Sequence, residues 1–303
     1  MLHLHFLRGL RRSLVSTTAL SACLLALSCH GQSSTQSQAT SAHIDSTTLR
    51  GDTLELIFAG DIMTHGPQIR AAAQSDGSYD FAQSFGLVRP TIERADLAIG
   101  NLETTFGGKP YSGYPMFSSP EALAVALREA GFDVLTTSNN HSCDRRGYGI
   151  THTIDVLDSL GIATTGSYRN LSERPARTPL IQSVRGIKLA ILAYTYGTNG
   201  LPIPHPTVID TISKEHIAAD LRRADSLGAE YKIVQIHWGN EYEKSPNRAQ
   251  RELAQWLADQ GVDAVIGSHP HVVQESTRLQ GQDTQRGETF VIYSMGNFIS
   301  NQI

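Results

Sequence analysis

From residue 54 onward the chain alternates short apolar runs of strand length with amphipathic stretches of helix length. Most runs are apolar on both faces, which is typical of strands buried inside a parallel sheet. The helical stretches end at glycine, the residue that most readily closes a helix. This alternation predicts an α/β fold. The predicted strands are residues 54–59, 96–99, 133–137, 188–194, 232–236, 263–266 and 290–293, and the predicted helices are 119–130, 149–160, 213–227 and 247–260.

Two local patterns refine this prediction. Residues 178–194 contain two strand-like runs separated by Arg185 and Gly186, which predicts an antiparallel hairpin among the crossover units. Ser119 precedes a proline and an acid, so it is expected to cap the first predicted helix.

The N-terminal segment has a different character. Residues 1–12 contain three arginines and no acid, and the apolar run 14–28 is shorter than the roughly 20 residues that a membrane-spanning helix needs. This combination predicts a secretory signal peptide over residues 1–29. Small residues precede both Cys29 and Cys23, as in bacterial lipoprotein cleavage sites. We assign lipidation to Cys29, where the apolar run ends, with Cys23 as the alternative.

The remaining chain divides into two parts. Residues 30–50 are rich in Ser, Thr, Gln and Ala and have few apolar side chains to bury, so we expect a flexible tether. Residues 51–303 are expected to form one folded domain, in which Cys143 is the only cysteine and has no partner for a disulfide. We therefore expect an exported, membrane-anchored lipoprotein of the cell envelope.

Composition and charge narrow the classes of function. The 303 residues are 40% hydrophobic, which is enough for a sizeable core. The formal net charge is −4, and basic residues are scattered among acids. A nucleic-acid partner is not expected, because such proteins concentrate positive charge on one face.

Polar residues follow the predicted strands at their carboxyl ends, where open α/β sheets bind ligands. Taken singly, many of these residues would be turn or capping devices. Taken together, they bring imidazole, carboxylate and amide groups to one edge of the sheet, which favours a site. The residues concerned are Asp61, Asn101, Glu103, Asn140, His141, His237, Asn240, Glu241, His269 and His271.

This mixture of ligand types indicates a divalent metal. Nitrogen and oxygen donors suit Mn, Fe or Zn. The four histidines at strand ends, together with Asp61 and Glu103, are enough for one or two ions. Two ions held by one bridging carboxylate can activate water and bind a phosphoryl oxygen.

The polar segments also occur in the order typical of a known family. They are Gly60-Asp61, Gly100-Asn101-Leu102-Glu103, Ser138-Asn139-Asn140-His141, His237-Trp238-Gly239-Asn240-Glu241, Gly267-Ser268-His269-Pro270-His271 and Ser294-Met295-Gly296-Asn297-Phe298. Over residues 54–302 the chain resembles the CapA family of capsule and poly-γ-glutamate synthesis proteins, which is similar to the calcineurin-like metallophosphoesterases. That resemblance implies a four-layer α-β-β-α sandwich.

The resemblance also implies roles for individual residues. The metal ligands would be Asp61, Glu103, Asn140, His237, His269 and His271. His141 would be catalytic, protonating the leaving oxygen or stabilising the transition state. Asn101, Asn240 and Glu241 are expected to contact substrate.

The sequence departs from the larger group at three points. His65 lies four residues after Asp61 instead of two, and Asn101 replaces a bridging aspartate, so Glu103 must supply any bridge. Family members generally continue into further strands, which implies a domain that is incomplete at residue 303.

Two functions remain open at this stage. The first is a metal-dependent hydrolase that cleaves a phosphoester or a polymer amide in the cell envelope. The second is a non-catalytic factor that binds an anionic polymer, such as poly-γ-glutamate, during its assembly or export. Other capsule synthesis proteins are expected partners in either case.

Overall fold

The computed structural model describes residues 1–7, 53–284 and 287–302. The predicted lipidation site Cys29, its alternative Cys23 and the tether 30–50 lie outside the described residues. Within the described part of the chain, no helix has both the length and the apolar character needed to cross a membrane.

The strands and helices alternate along the chain. The strands are β1 (Leu2–Leu7), β2 (Thr53–Ile62), β3 (Leu97–Leu102), β4 (Val134–Thr136), β5 (Ala163–Thr165), β6 (Ser167–Tyr168), β7 (Leu180–Val184), β8 (Ile187–Thr195), β9 (Val208–Ile209), β10 (Tyr231–His237), β11 (Ala264–Ser268), β12 (Ser276–Gln280), β13 (Glu288–Ile292) and β14 (Asn297–Ile299). The helices are α1 (Gly66–Ala72), α2 (Ala82–Phe85), α3 (Arg89–Ile92), α4 (Ala122–Glu129), α5 (Arg146–Ser159), α6 (Arg174–Arg177), α7 (Lys214–Ser226) and α8 (Arg248–Asp259).

These strands form two large sheets. The first has the order β1-β2-β3-β4-β5, with β14 also paired to β2, and the second has the order β12-β13-β11-β10-β8-β7. The strands from β2 to β5 run parallel, as do β8, β10, β11 and β13. Antiparallel strands β7 and β12 form the edges of the second sheet. Strands β6 and β9 pair in a small separate ribbon.

Each large sheet packs helices against one face and buries its other face as well. Helices α1 to α5 share an apolar cluster with β2, β3 and β4, and α7 and α8 share another with the second sheet. Phe58 and Ile99 of the first sheet, and Ile191 and Ile233 of the second, alternate with the helix-facing residues and are fully buried. Because β5 contacts β8, these inner faces meet, and the layers stack α-β-β-α as expected.

The structure confirms the predicted strands, the predicted helices and the α/β class, with element ends shifted by a few residues. The hairpin is also confirmed, since β7 and β8 are joined by Arg185 and Gly186, both at positive φ. The predicted helix start at Ser119 is wrong. Helix α4 begins at Ala122, and the Ser119 hydroxyl instead lies 2.7 Å from that of Thr104, which ties the loop after β3 to this turn.

A close backbone approach brings the C-terminal segment to the first sheet. β14 runs beside the end of β2, with Asn297 opposite Asp61. A Cβ atom at Gly60 would lie 2.0 Å from the carbonyl oxygen of Gly296, so this approach requires glycine. As a result, β2, β3 and β14 each place a polar side chain at the same end of the first sheet.

A buried charged network lies away from that point. Arg174 donates to Asp210 at 2.6 Å and to both oxygens of Asp220 at 2.5 and 3.1 Å. The hydroxyls of Tyr168 and Tyr194 donate to the same two carboxylates. Because Arg174 joins α6 to α7 and to the residue after β9, it fixes the position of this part of the chain.

We expect Arg174→Ala to lower the free energy of unfolding by about 3–5 kcal/mol, because it leaves two buried carboxylates without their cation. The matched control is Arg89→Ala, which removes an exposed i,i+4 pair with Glu93 and should cost less than about 1 kcal/mol. Urea unfolding of both variants measures the difference. Equal losses would show that the Arg174 network contributes no more than a surface pair.

Candidate metal centre

Asp61 lies at the centre of the cluster of strand-end residues. It is fully buried near the end of β2, with Asn101 opposite it on β3. Its Oδ1 accepts a hydrogen bond of 2.8 Å from Asn101, and its Oδ2 lies 3.2 Å from His271 Nδ1. The backbone N–H of His269 also donates to Oδ2, at 3.3 Å. Asp61 therefore connects the two sheets at their carboxyl ends.

Glu103 is the most exceptional residue of the cluster. It follows β3, is fully buried, and has no hydrogen-bond partner on either carboxylate oxygen. Its Oε1 lies 3.5 Å from His237 Nε2 and 3.8 Å from His271 Nε2. A buried carboxylate without partners is costly, so this arrangement indicates a cation that completes it.

Two sets of potential ligands share this glutamate. One set is Glu103, His269 and His271, and the other is Asp61, Glu103 and His237; within each, the ligand atoms lie within 4.8 Å of one another. Nδ1 of His269 is also buried without a partner. The donor chemistry of both sets, imidazole and carboxylate, suits a divalent metal. These buried residues therefore fit a metal ion.

Asn140 and Ser268 position His237 on the second sheet. His237 Nδ1 lies 2.9 Å from the Ser268 hydroxyl, and its Nε2 lies 2.8 Å from Asn140 Oδ1. The structure thus brings the Asn140 oxygen and the His237 nitrogen to the same place.

The segment after β11 holds two histidines in an uncommon backbone conformation. His269 has φ +97° and His271 has φ +59°, values that residues other than glycine seldom adopt. Strain of this kind persists where the surrounding structure requires it, often at functional sites. Here it turns both imidazoles inward, with ring centroids 5.8 Å apart.

Burial and neighbouring charges shift the pKa values of the cluster residues in different directions. Burial and the negative charge of Asp61 raise the pKa of Glu103 well above its ordinary value. Burial and the nearby imidazoles lower the pKa of His237 well below its ordinary value, and lower the pKa of His269 to about 4. Burial opposes protonation of His271, but its hydrogen bond and attraction to Asp61 outweigh this and raise its pKa.

His141 lies beside the cluster in a pair with an acid that sequence reasoning missed. Its Nδ1 is 2.7 Å from Oδ2 of Asp144, and both side chains are buried. The same oxygen accepts the backbone N–H of Phe117 at 2.6 Å, and the Phe117 ring packs edge-on against His141 at 4.6 Å. With Nδ1–H donated to Asp144, Nε2 is left as the nitrogen that can exchange a proton.

The residues expected to contact substrate have different environments. Asn101 is buried and donates to Asp61, so it lies beneath the ligands rather than at the surface. Asn240 is exposed and donates to Glu243. Glu241 is exposed, yet it is close enough to raise the pKa of Glu103 and His271.

His65 lies at the edge of the cluster and belongs to neither set of ligands. It precedes α1, and its Nδ1 accepts the backbone N–H of Asn301 at 3.2 Å. Its ring meets that of Phe117 at 5.2 Å.

Asn297 is a second residue that sequence reasoning missed. Its Oδ1 lies 2.9 Å from Nδ1 of His271, and its amide donates to Gln302 at 2.7 Å. This contact fixes the His271 ring with Nε2 directed at Glu103. The motif around Asn297 was visible in the sequence, but its contact depends on the pairing of β14 with β2.

The chain has recognisable relatives. Residues 55–302 match the family described as bacterial capsule synthesis protein PGA_cap. The PGA biosynthesis protein CapA of Bacillus subtilis (strain 168) is 29% identical over 271 residues, which cover 84% of this chain and 65% of that protein. The capsule biosynthesis protein CapA of Bacillus anthracis is 28% identical over 266 residues, covering 82% and 60%. The chain thus spans less than two thirds of the length of both relatives.

A solved structure also resembles the fold. It is a putative 5'-nucleotidase from Staphylococcus aureus, with a TM-score of 0.49 and 17% identity, covering 78% of this chain and 48% of that one.

We expect Asn297→Ala to weaken metal binding by about 10- to 100-fold, because the ring of His271 loses the partner that orients it. Asn301→Ala is the matched control, since Asn301 contacts the edge of the site through its backbone N–H. Titration of Mn²⁺ into the metal-free variants, followed by calorimetry, measures both affinities. An unchanged affinity in Asn297→Ala would show that Asn297 does not orient a ligand.

Metal binding should release protons and strengthen as pH rises. Ligands must be deprotonated to bind, and the raised pKa values of Glu103 and His271 mean that these groups keep their protons to higher pH than an ordinary carboxyl or imidazole. The lowered pKa values of His237 and His269 keep these rings neutral near neutrality, so they have no extra proton to release. Affinity should rise about tenfold per pH unit for each proton displaced, and level off above these pKa values.

Calorimetric titration in buffers of different ionisation enthalpy counts the released protons directly. If the observed binding heat does not depend on the buffer, Glu103 and His271 are already deprotonated and this account of their environment is wrong.

Proposed function

This chain belongs to the bacterial capsule synthesis (PGA_cap) family, and on that premise we propose that it is a metal-dependent hydrolase acting in the synthesis or export of an anionic capsule polymer such as poly-γ-glutamate. The bond cleaved would be a phosphoester or an amide of the polymer. The observation that carries this proposal is Glu103, a buried carboxylate without partners that two sets of metal ligands share.

The ligands of the metal would be Asp61, Glu103, Asn140, His237, His269 and His271. When bound, Mn, Fe or Zn would supply Lewis-acid activation of water and of the scissile group. Glu103 would be a ligand shared by two ions if both sets bind metal, because it belongs to each set. The low pKa values of His237 and His269 keep these rings neutral, which leaves one unprotonated nitrogen on each as a ligand.

His141 would serve as the acid of the reaction. Asp144 lies 2.7 Å from its Nδ1, which fixes the orientation and the tautomer of the ring. The ring of Phe117 limits its rotation. Nε2 would then donate the proton that the leaving group needs as its bond to phosphorus or to the carbonyl carbon breaks.

A second candidate is a non-catalytic factor that binds the polymer through the metal. It is supported by Asn101, which stands where the larger group has a bridging aspartate and directs its N–H at Asp61. An amide bridges two cations less well than a carboxylate, which favours weaker binding of one ion.

The proposed location is the cell envelope. The basic start of the chain, the apolar run that follows and the cysteine at its end support export and lipid attachment at Cys29. A single site of lipidation would hold the domain at a membrane surface, where polymer and other capsule synthesis proteins would meet it.

The test is elemental analysis of the full chain purified in detergent, followed by hydrolysis assays with a phosphodiester and with oligo-γ-glutamate. The disabling variant is His269→Gly, because glycine tolerates the φ of +97° there while removing the imidazole. His152→Ala, on α5 and away from the cluster, is the control. We expect bound metal and turnover in the wild type and the control, and loss of both in His269→Gly without loss of the fold.

Each outcome separates the candidates. Metal that is bound without turnover of either substrate would support the polymer-binding factor. Protein that neither contains metal nor takes up Mn²⁺, Fe²⁺ or Zn²⁺ on titration would refute both.

A further inference from the structure

Two exposed tyrosines lie beside the metal centre, and a third, Tyr114, is close enough to one of them, Tyr242, to influence its pKa. Tyr196 is 47% exposed, Tyr242 is 58% exposed and Tyr114 is 73% exposed. Tyrosine rings are usually at least partly covered in a folded domain, because their apolar faces gain from burial. Exposed rings beside a candidate active site indicate a surface that a ligand covers.

Tyr196 lies over one end of the row of histidines. Its ring centroid is 4.6 Å from that of His269, and it is nearly parallel to His237, with centroids 6.3 Å apart and planes at 9°. Its backbone N–H donates to the carbonyl of His237 at 2.9 Å. One face of Tyr196 thus rests on metal ligands, while almost half of the side chain remains exposed.

Tyr242 lies over the other end of the row. Its ring centroid is 6.2 Å from that of His271, and its hydroxyl accepts a bond of 3.3 Å from Gln302. Its backbone has φ +63°, an uncommon value for tyrosine, and its N–H donates to the carbonyl of Pro270 at 2.8 Å. This conformation is costly and holds the ring close to the ligands, which is characteristic of functional sites.

The hydroxyls of both tyrosines are suited to donating hydrogen bonds. The ordinary pKa of a phenol, about 10, keeps both hydroxyls protonated near neutrality. Within the protein the Tyr196 hydroxyl donates to Asn199 Oδ1 over a long distance of 3.4 Å. A phenolic O–H donates well to a carboxylate, and an aromatic face packs against methylene groups and flat amides. Together these properties match a polyamide chain that carries carboxylates.

We propose that Tyr196 and Tyr242 form a substrate-positioning pair that holds an extended, carboxylate-bearing polyamide chain across the metal centre, with Tyr114 extending the subsite beside Tyr242. This inference rests on the proposed function and identifies residues that bind the substrate of that site. The rings pack against the chain backbone and the hydroxyls donate to its carboxylates. Tyr196 and Tyr242 act on the segments that flank the bond at the metal.

Charge makes this binding depend on the metal. The carboxylates of Asp61 and Glu241 lie at or beside the centre, and they repel an anionic chain when no cation is present. A divalent metal reverses the sign of the local field. Because the tyrosines are neutral, they bind and position the chain without adding to the repulsion.

The experiment measures binding of a fluorescently labelled oligo-γ-glutamate to the full chain loaded with Mn²⁺, by anisotropy in detergent. Tyr196→Ala and Tyr242→Ala should each weaken binding by about tenfold or more, as loss of an aromatic anchor does. Tyr196→Phe and Tyr242→Phe should each weaken binding by about tenfold, because each removes the hydroxyl that donates a hydrogen bond to a carboxylate.

The matched control is Tyr148→Ala. Tyr148 is 60% exposed and stacks on His152 at 5.1 Å, so it reproduces the exposed tyrosine on a histidine away from the metal centre. It should bind the oligomer as the wild type does. Metal content and thermal unfolding of every variant should match the wild type, and chelation should abolish binding in all of them.

The outcomes separate this inference from the proposed function. Wild-type protein that holds metal but does not bind the oligomer refutes the proposed polymer. If the Tyr196 and Tyr242 variants bind the oligomer as tightly as the wild type, the substrate-positioning pair alone is overturned. Loss of metal in those variants would also overturn it, because the role of the tyrosines would then be structural. Equally tight, equally tyrosine-dependent binding of polygalacturonate would overturn the polyamide assignment.

Discussion

The burial of Glu103 among other ionisable groups is the constraint on which the site depends. A carboxylate taken out of water costs several kcal/mol unless a partner compensates it, and burial therefore favours its protonated form. The domain concentrates Asp61, Glu103 and three imidazoles in that dry region while leaving both Glu103 oxygens without partners. Burying these groups opposes folding, whereas a divalent cation bound by either ligand set would compensate the groups of that set.

The two-sheet architecture makes this concentration of polar groups possible. Parallel strands end at the same edge of a sheet, so Asp61 and Glu103 arrive from the first sheet, and His237 and the two histidines after β11 arrive from the second. The inner faces of the sheets pack together, which brings the two edges into contact. Glycine at position 60 lets β14 approach closely enough for Asn297 to reach His271.

Sequence patterns predicted the parts that depend on local chemistry. Strands 54–59 and 232–236 were readable because buried parallel strands are apolar on both faces, and Glu103 could be named because a polar residue followed such a strand. Asn297 was missed because its role arises from contact with a residue 26 positions away. Asp144 lies only three residues after His141, and its role depends on the turn that brings the two side chains together. The misplaced start of α4 has the same cause, since the Ser119 hydroxyl is used by Thr104.

The exposed tyrosines extend this argument from the metal to the polymer. A site that used charge alone would bind any anion, and its acids would oppose that binding whenever the metal was absent. Neutral rings lie at both ends of the histidine row. In the proposed site they would contact the backbone of the chain between its carboxylates, so that the cation would determine whether an anionic chain binds and the rings would select its backbone. Selectivity of this kind would depend on where the rings are held, and the left-handed backbone of Tyr242, which carries local strain, holds its ring 6.2 Å from that of His271.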